Sequence, residues 1–299
     1  MYFPVAEIYA NPYIIFFTAF IISFFTSMGG ISGAFLLLPF QMSILGYISP
    51  SVSSTNQVFN IIAIPSGVYR YIKENRMLWP LAKAITIGTL PGVFLGAWLR
   101  IEYLPDPKDF KVFVGIILIY IGWKLFRNII STEKNGTNNQ ITQTKDFQSL
   151  TILSSSLNKV VFLFRNRQYA YSPLAVYSIC SIVGIVGGIY GIGGGSIIAP
   201  ILVAIIGLPV HIIAGAALFG TFITSISSVI FYHLLANFYP HISISPDWIL
   251  GTLLGSGGFF GMYLGARAQK FFRPLYIKLI LTFCIFFIAI NYIYVFLTM

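Results

Sequence analysis

The chain has 299 residues, 57% of them hydrophobic and only 9% charged, with a formal net charge of +10. A soluble domain carries about 25% charged residues to cover its surface, so a soluble globular protein is excluded. Apolar runs of helix-spanning length recur along the chain, and because they are continuous rather than alternating they exclude a membrane β-barrel.

The first twelve residues are a short polar-aromatic lead without Lys or Arg. They lack the basic opening of a signal peptide, so the apolar stretch after them is expected to be retained. Tyr13–Met28 is the first apolar segment, broken by Gly29-Gly30. Ile31–Ile48 follows and stops at Ser49-Pro50. Val52–Tyr71 is the third segment, polar at its start. A basic loop from Arg70 to Arg76 leads into Leu78–Leu99, where Gly88, Gly92 and Gly96 recur every four residues. Such ladders let helices approach closely in lipid. Arg100–Lys111 reads as a mixed-charge loop, and Val112–Phe126 as the fifth segment.

Residues 128–172 interrupt the pattern. Ser131–Asn158 is rich in Ser, Thr, Asn and Gln, and reads as a linker without a core. Lys159–Tyr171 mixes apolar residues with Arg165 and Arg167 and suits a membrane surface. The plan then repeats, with segments at Leu174–Ile189, Gly193–Gly207, Val210–Leu235, Trp248–Ala266 and Leu275–Leu297. A shift of 161 lays Gly30, Ile31, Gly33, Pro39 and Gly46 on Gly191, Ile192, Gly194, Pro200 and Gly207. A shift of 169 lays the first glycine ladder on Gly257, Gly261 and Gly265. The expected organisation is a first membrane repeat over 1–127, a polar linker over 128–172 and a second membrane repeat over 173–299.

Loop charges set the relation between the repeats. Arg70–Arg76 holds three basic residues and one acid, while its counterpart, Asn237–Asp247, has no Lys or Arg. One segment later the bias reverses: Arg100–Lys111 sums to zero and Arg267–Lys278 holds four basic residues. Basic loops face the cytoplasm, so the repeats are expected to be inverted. Residues 124–167 carry seven basic and two acidic residues, which makes the linker cytoplasmic and puts both termini outside a plasma membrane. The fold class is an all-α polytopic membrane protein of two inverted repeats, each of about five helical segments. The first two segments of each half either span separately or fold as a glycine-broken re-entrant hairpin.

The two breaks are the candidate site. The first amides of a helix have no intrahelical partner and sit at the positive end of its dipole. Glycines let an anion approach that backbone, and a neighbouring hydroxyl adds a donor. Matching glycine-broken segments in two halves point to a transporter's binding site. The candidate substrate-binding residues are therefore Gly29, Gly30, Ser32 and Gly33 in half one, and Gly191, Gly193, Gly194, Gly195 and Ser196 in half two. Asn56 and Gln57, at the polar start of the third segment, and Thr221, in its counterpart, complete the shell. The competing account is tight packing and interhelical glue, which the serines of half two suit better.

Other groups carry less. Gly191–Ser196 looks like part of a dinucleotide fingerprint but follows an apolar helix-length run, not a strand. Lys83 suits a snorkelling role and His233 a packed or interfacial one. Cys180 and Cys284 lie in apolar runs without metal or disulfide spacing. All eight acids fall in loops or at segment ends, so no buried carboxylate is expected to relay protons or hold sodium. Only three histidines occur, and no catalytic couple is evident, so the chain does not read as an enzyme and implies no cofactor or metal. The expected partners are a small anionic substrate and the lipid bilayer, not nucleic acid; no oligomeric state follows.

These paired breaks, polar third segments and glycine-laddered fourth segments resemble the sulfite exporter (TauE/SafE) family of anion permeases. The resemblance covers nearly everything but the linker. It implies movement of sulfite, sulfoacetate or other small sulfur-containing or organic anions across the plasma membrane. Because an anion leaving a negative-inside cell needs no coupling ion, the expected direction is export, with import of sulfate- or thiosulfate-like or organic anions, or an accessory membrane subunit, as the alternatives. Half one departs from the richer pattern, with Ser32 and Ala34 where half two has Gly193 and Gly195.

Overall fold

A computed structural model of the chain describes residues 1–134, 151–156, 158–164, 167–208, 210–269, 271 and six single positions between 279 and 290. Nine helices are described: α1 (Pro12–Met28), α2 (Ala34–Ser43), α3 (Ser51–Lys73), α4 (Trp79–Glu102), α5 (Pro107–Lys134), α6 (Pro173–Tyr190), α7 (Gly195–Ile205), α8 (Val210–Ala236) and α9 (Trp248–Ala268). α4, α6, α9 and the Ile212–Ala236 part of α8 are long and apolar enough to cross a membrane, and α1 and α2 are shorter apolar helices. The expected closing segment, Leu275–Leu297, lies almost wholly outside the described residues, as do linker residues 135–150.

The all-helical expectation needs amending by two small sheets. β1 (Tyr2–Phe3) pairs with β2 (Ile8–Tyr9). In the linker, β3 (Thr151–Ser155), β4 (Val160–Phe164) and β5 (Arg167–Tyr171) form an antiparallel sheet in that order. Alternation in β4 supplies the reason: Val160, Phe162 and Phe164 point to one face and are buried, so part of the linker does have a core to join.

Sequence chemistry sets the helix ends. Asn11 accepts from the Tyr13 amide at 3.0 Å, with Pro12 at the first turn of α1. α1 ends when the Gly30 amide donates to Ser27 and the Ile31 amide to Thr26, both at 3.1 Å. α6 ends with the same pair of bonds, Gly191 to Gly188 at 3.2 Å and Ile192 to Gly187 at 3.1 Å. Gly30 (φ 72°) and Gly191 (φ 74°) both turn left-handed to do so, a Schellman ending that a side chain would strain.

Packing follows one reciprocal rule. α4 lies along α6, and α9 along α1. A Cβ at Gly92 would meet the Ser181 carbonyl oxygen, and one at Gly261 the Phe20 carbonyl oxygen; residues 20 and 181 are counterparts under the 161 shift. Likewise a Cβ at Gly30 would meet Ala214 Cα, and one at Gly191 would meet Ser53, the counterpart of Ala214. Each half thus packs its fourth helix on the other's first, and its break on the other's third.

α3 and α8 run antiparallel, with Tyr71 against Gly215 at one end and Ser225 bonded to Gln57 further along. The Val5 and Ala6 amides donate to Asp247 at 3.2 Å, and Ser54 donates to the Ile244 carbonyl at 2.5 Å. At the other end, Gln269 donates to the Met28 carbonyl at 2.7 Å, and the Tyr71 hydroxyl lies 3.0 Å from the Ser27 carbonyl. The chain therefore leaves the Asp247 end along α1, reaches the Gln269 end at Met28, and is back at the first end by Ser51.

Candidate functional site

Asn60 is the tenth of the 23 residues of α3, near its middle. Its Nδ2 donates to the Ile192 carbonyl at 3.0 Å, and its Oδ1 accepts from the Ser32 hydroxyl. One turn earlier, Asn56 Nδ2 lies 3.0 Å from the Ala34 carbonyl and 3.3 Å from the Gly191 carbonyl. Two amides on one helix face thus bridge the two breaks, which lie 161 residues apart in sequence. Gln41 adds a bond to Asn56 Oδ1 at 3.2 Å. All of these side chains are buried. Asn60 lay in the polar run read from the sequence but was not among the candidates; its spacing of four from Asn56 is the signal that marks it.

The breaks differ chemically. At the start of α2, the Ser32 hydroxyl accepts from the Ala34 amide at 3.2 Å, and the next three amides turn back onto the Ser32 and Gly33 carbonyls. That helix start is closed by its own serine. α7 starts at Gly194 without a side-chain cap. Around it, a Cβ at Gly193 would meet Thr221 at 2.9 Å and Ser225 at 3.1 Å, and one at Gly194 would meet Thr89 at 2.7 Å. The Thr221 hydroxyl donates to the Ala217 carbonyl of its own helix at 2.9 Å. Gly29 sits at the end of α1 with ordinary right-handed backbone. The Ser196 side chain lies outside the described residues. Gly30, Ser32, Gly33, Asn56, Gly191, Gly193, Gly195 and Thr221 gather around the α3–α8 pair, as does Gln57, whose Oε1 accepts from Ser225 at 2.6 Å; Gly194 packs on Thr89 of α4, and Gly29 lies one residue before Gly30.

Among the described residues, three charged ones read as loop or segment-end positions are buried: Arg76, Arg100 and Asp247. Asp247 is 1% exposed rather than solvated, and it caps α9 at the Leu250 amide at 2.9 Å while holding the Val5 and Ala6 amides. Three amides satisfy it, so it is structural. Arg100 reads as a loop residue but lies in the last turn of α4 at 0% exposure. Among the described residues, none of its three guanidinium nitrogens has a hydrogen-bond partner. Its guanidinium sits 3.7 Å from the centre of the Phe110 ring. A desolvated cation–π contact contributes about 2 kcal/mol and a buried helix C-terminus up to about 2 kcal/mol. Burying the ion costs several kcal/mol, and the unmade guanidinium hydrogen bonds add to that cost. Lys83 and His233 are exposed.

A family model described as sulfite exporter TauE/SafE matches residues 15–292. The chain belongs to the sulfite exporter TauE/SafE family. It is also 24% identical over 275 residues to the probable membrane transporter protein YunE of Bacillus subtilis (strain 168), covering 90% of this chain and 92% of that protein. No solved structure matches. A member of the TauE/SafE family with helices of this length and apolarity is a multi-pass membrane transporter protein.

Proposed function

We propose that the chain exports small sulfur-containing or organic oxyanions, such as sulfite or sulfoacetate, across the plasma membrane. The two halves act as inverted repeats, with α1–α2 and α6–α7 folding back as re-entrant pairs. The anion is held between the breaks by the start of α7 and by the second Nδ2 hydrogen of Asn60, while Asn56, whose two hydrogens go to the Ala34 and Gly191 carbonyls, holds the breaks together; alternating access follows from rocking one half against the other. The observation that carries this reading is the double bridging of both breaks by Asn56 and Asn60. The reciprocal packing of Gly30 on Ala214 and Gly191 on Ser53 supports the two-fold relation. The antiparallel α3–α8 pair supports an axis lying in the membrane plane.

Orientation follows from charge. The Asp247 end, whose Asn237–Asp247 loop lacks Lys and Arg, faces outside; the Arg76 end faces the cytoplasm with the linker. A negative-inside potential then drives anion exit by about 2.3 kcal/mol per charge per 100 mV, and no coupling ion is needed. Vesicles containing the purified protein are expected to release loaded sulfite faster when an outward-driving potential is imposed. Release that ignores the potential refutes electrogenic export, and no release above protein-free vesicles for sulfite, sulfate or sulfoacetate refutes the transport reading.

A further inference from the structure

The α3–α8 seam contains more unpaired polar groups than the breaks use. Four residues on from Ser53 on α3 is Gln57, and on α8 Ser225, Ser228 and Tyr232 follow at three- and four-residue spacing, so each set shares one helix face. Ser225 occupies Gln57 Oε1. Among the described residues, Gln57 Nε2, the Ser53, Ser228 and Tyr232 hydroxyls and the whole Arg100 guanidinium are buried without a hydrogen-bond partner. Ala97 and Ile101, which flank Arg100 on α4, pack in one cluster with Tyr232, so the guanidinium and the phenol lie at the same end of the seam. The Tyr232 and Ser53 hydroxyls lie close enough to share one hydrogen, which leaves that pair one to donate beside the Gln57 and Ser228 donors and a full positive charge on Arg100. The nearest acid in sequence, Glu102, instead accepts from Tyr239 at 2.7 Å.

We infer that Arg100, Tyr232 and Ser53 form a second anion-binding station at the Asp247 end of the α3–α8 seam, fitted to a small oxyanion of sulfite or sulfate size. The inference rests on the transport reading above and deepens it, because it supplies the charge that the glycine breaks lack. Three helices converge on the station: α4 brings the guanidinium, α8 the phenol and α3 the serine hydroxyl. A guanidinium offers planar paired donors that match two oxygens of such an anion. Ser53 also packs on Gly191, so the station adjoins the half-two break. Above it lies a cleft of about 320 Å³ whose lining includes Glu7, Tyr239, Ser243 and Ile244. Ile244 also packs in the cluster that holds Tyr232. An anion leaving the breaks would pass Gln57 and Ser228, rest on Arg100, and exit past Ile244 into the cleft.

The same residues could be satisfied structurally, and the counterpart positions show what that looks like. Tyr71, the counterpart of Tyr232 at 161, faces Gln269, the counterpart of Arg100 at 169. There a neutral amide serves, with its oxygen and nitrogen both bonded. A purely structural Arg100 would be expected to lose stability on replacement by glutamine.

The test uses the full chain in detergent and gluconate buffer, titrated separately with sulfite and with sulfate while thermal unfolding is followed, since a ligand of the native state raises the melting temperature. Wild type is expected to gain stability with one or both anions. Arg100→Gln is expected to need at least about tenfold more anion for the same shift, and Tyr232→Phe about three- to tenfold more. Arg100→Gln without added anion should melt no lower than wild type, because an uncompensated charge has been removed. Arg100→Gln and Tyr232→Phe responding at wild-type concentrations would overturn the station alone, provided that Asn60→Ala still weakens the response. Should Arg100→Gln not fold, Tyr232→Phe decides by itself. Wild type indifferent to both anions would overturn the station and the transport reading together.

Discussion

At one end of the α3–α8 seam, the Tyr71 hydroxyl lies 3.0 Å from the Ser27 carbonyl and 3.3 Å from Gln269 Oε1, donating to one at a time. Arg76 donates to the same Gln269 oxygen at 2.5 Å and to the Ala266 carbonyl at 3.1 Å, and pairs with Glu74 at 2.5 Å. Glu74 also takes Arg70 at 2.5 Å. At the opposite end the counterparts are Tyr232 and Arg100, where the phenol and the guanidinium are buried without a hydrogen-bond partner among the described residues. The two ends share backbone packing and differ in the balance of donors and acceptors. The difference lies in charge: Glu74 pairs with Arg76 and Arg70 at one end, whereas Arg100 at the other is buried against a ring face without an acid or a hydrogen-bond acceptor among the described residues.

Counterpart substitutions break or sharpen this comparison. The largest effects belong to the breaks. Gly30→Ala and Gly191→Ala each add a Cβ against backbone or side chain at a left-handed residue, costing about 3–5 kcal/mol from overpacking and strain together. The yield of folded protein and the melting temperature should fall alike for both. Unequal losses would break the two-fold relation at its centre.

Next come the ends. Gln269→Arg places a second cation beside Arg76 and removes a bonded amide, and should destabilise by about 3 kcal/mol. Arg100→Gln makes the reverse change and should not destabilise in anion-free buffer. Opposite signs in denaturation midpoints sharpen the contrast; equal losses erase it.

The third pair is Asn60→Ala against Thr221→Ala, counterparts at 161. Asn60 loss leaves the Ser32 hydroxyl without its acceptor and removes the bond to the Ile192 carbonyl, a cost of about 2 kcal/mol. Among the described residues, the Thr221 hydroxyl bonds to its own helix at Ala217, so its loss should cost well under half as much, as chemical denaturation would report. The smallest pair is Gly46→Ala and Gly207→Ala. Both residues are left-handed (φ 72° and 74°) but have nothing within 4 Å of an added Cβ. Only backbone strain of about 1–2 kcal/mol remains, and a matched small drop in melting temperature is expected for each.

Helical segments and the glycine breaks were legible because each depends on residues close in sequence. Apolar length sets membrane-spanning character, and Gly30 and Gly191 end α1 and α6 through bonds that reach back five residues at most. Boundaries were less legible where polar residues continue a helix. α4 runs through Arg100 to Glu102 and α5 begins at Pro107, inside what reads as a loop. The β4 strand escaped notice because its alternation is short and flanked by linker-like composition.

Composition and periodicity by themselves determined a helical membrane protein, since those properties are summed along the chain, and the repeated punctuation is what pointed to two related halves. Which polar groups are satisfied was decided only by tertiary structure. Asn56 reaches Gly191 across 135 positions and Gln57 meets Ser225 across 168, while Asp247 and Arg100 look equally solvated until packing removes water from both. Asp247 then finds three amides and Arg100 a ring face. A hydrogen bond needs two groups in one place, and that place exists only once the halves have closed on each other.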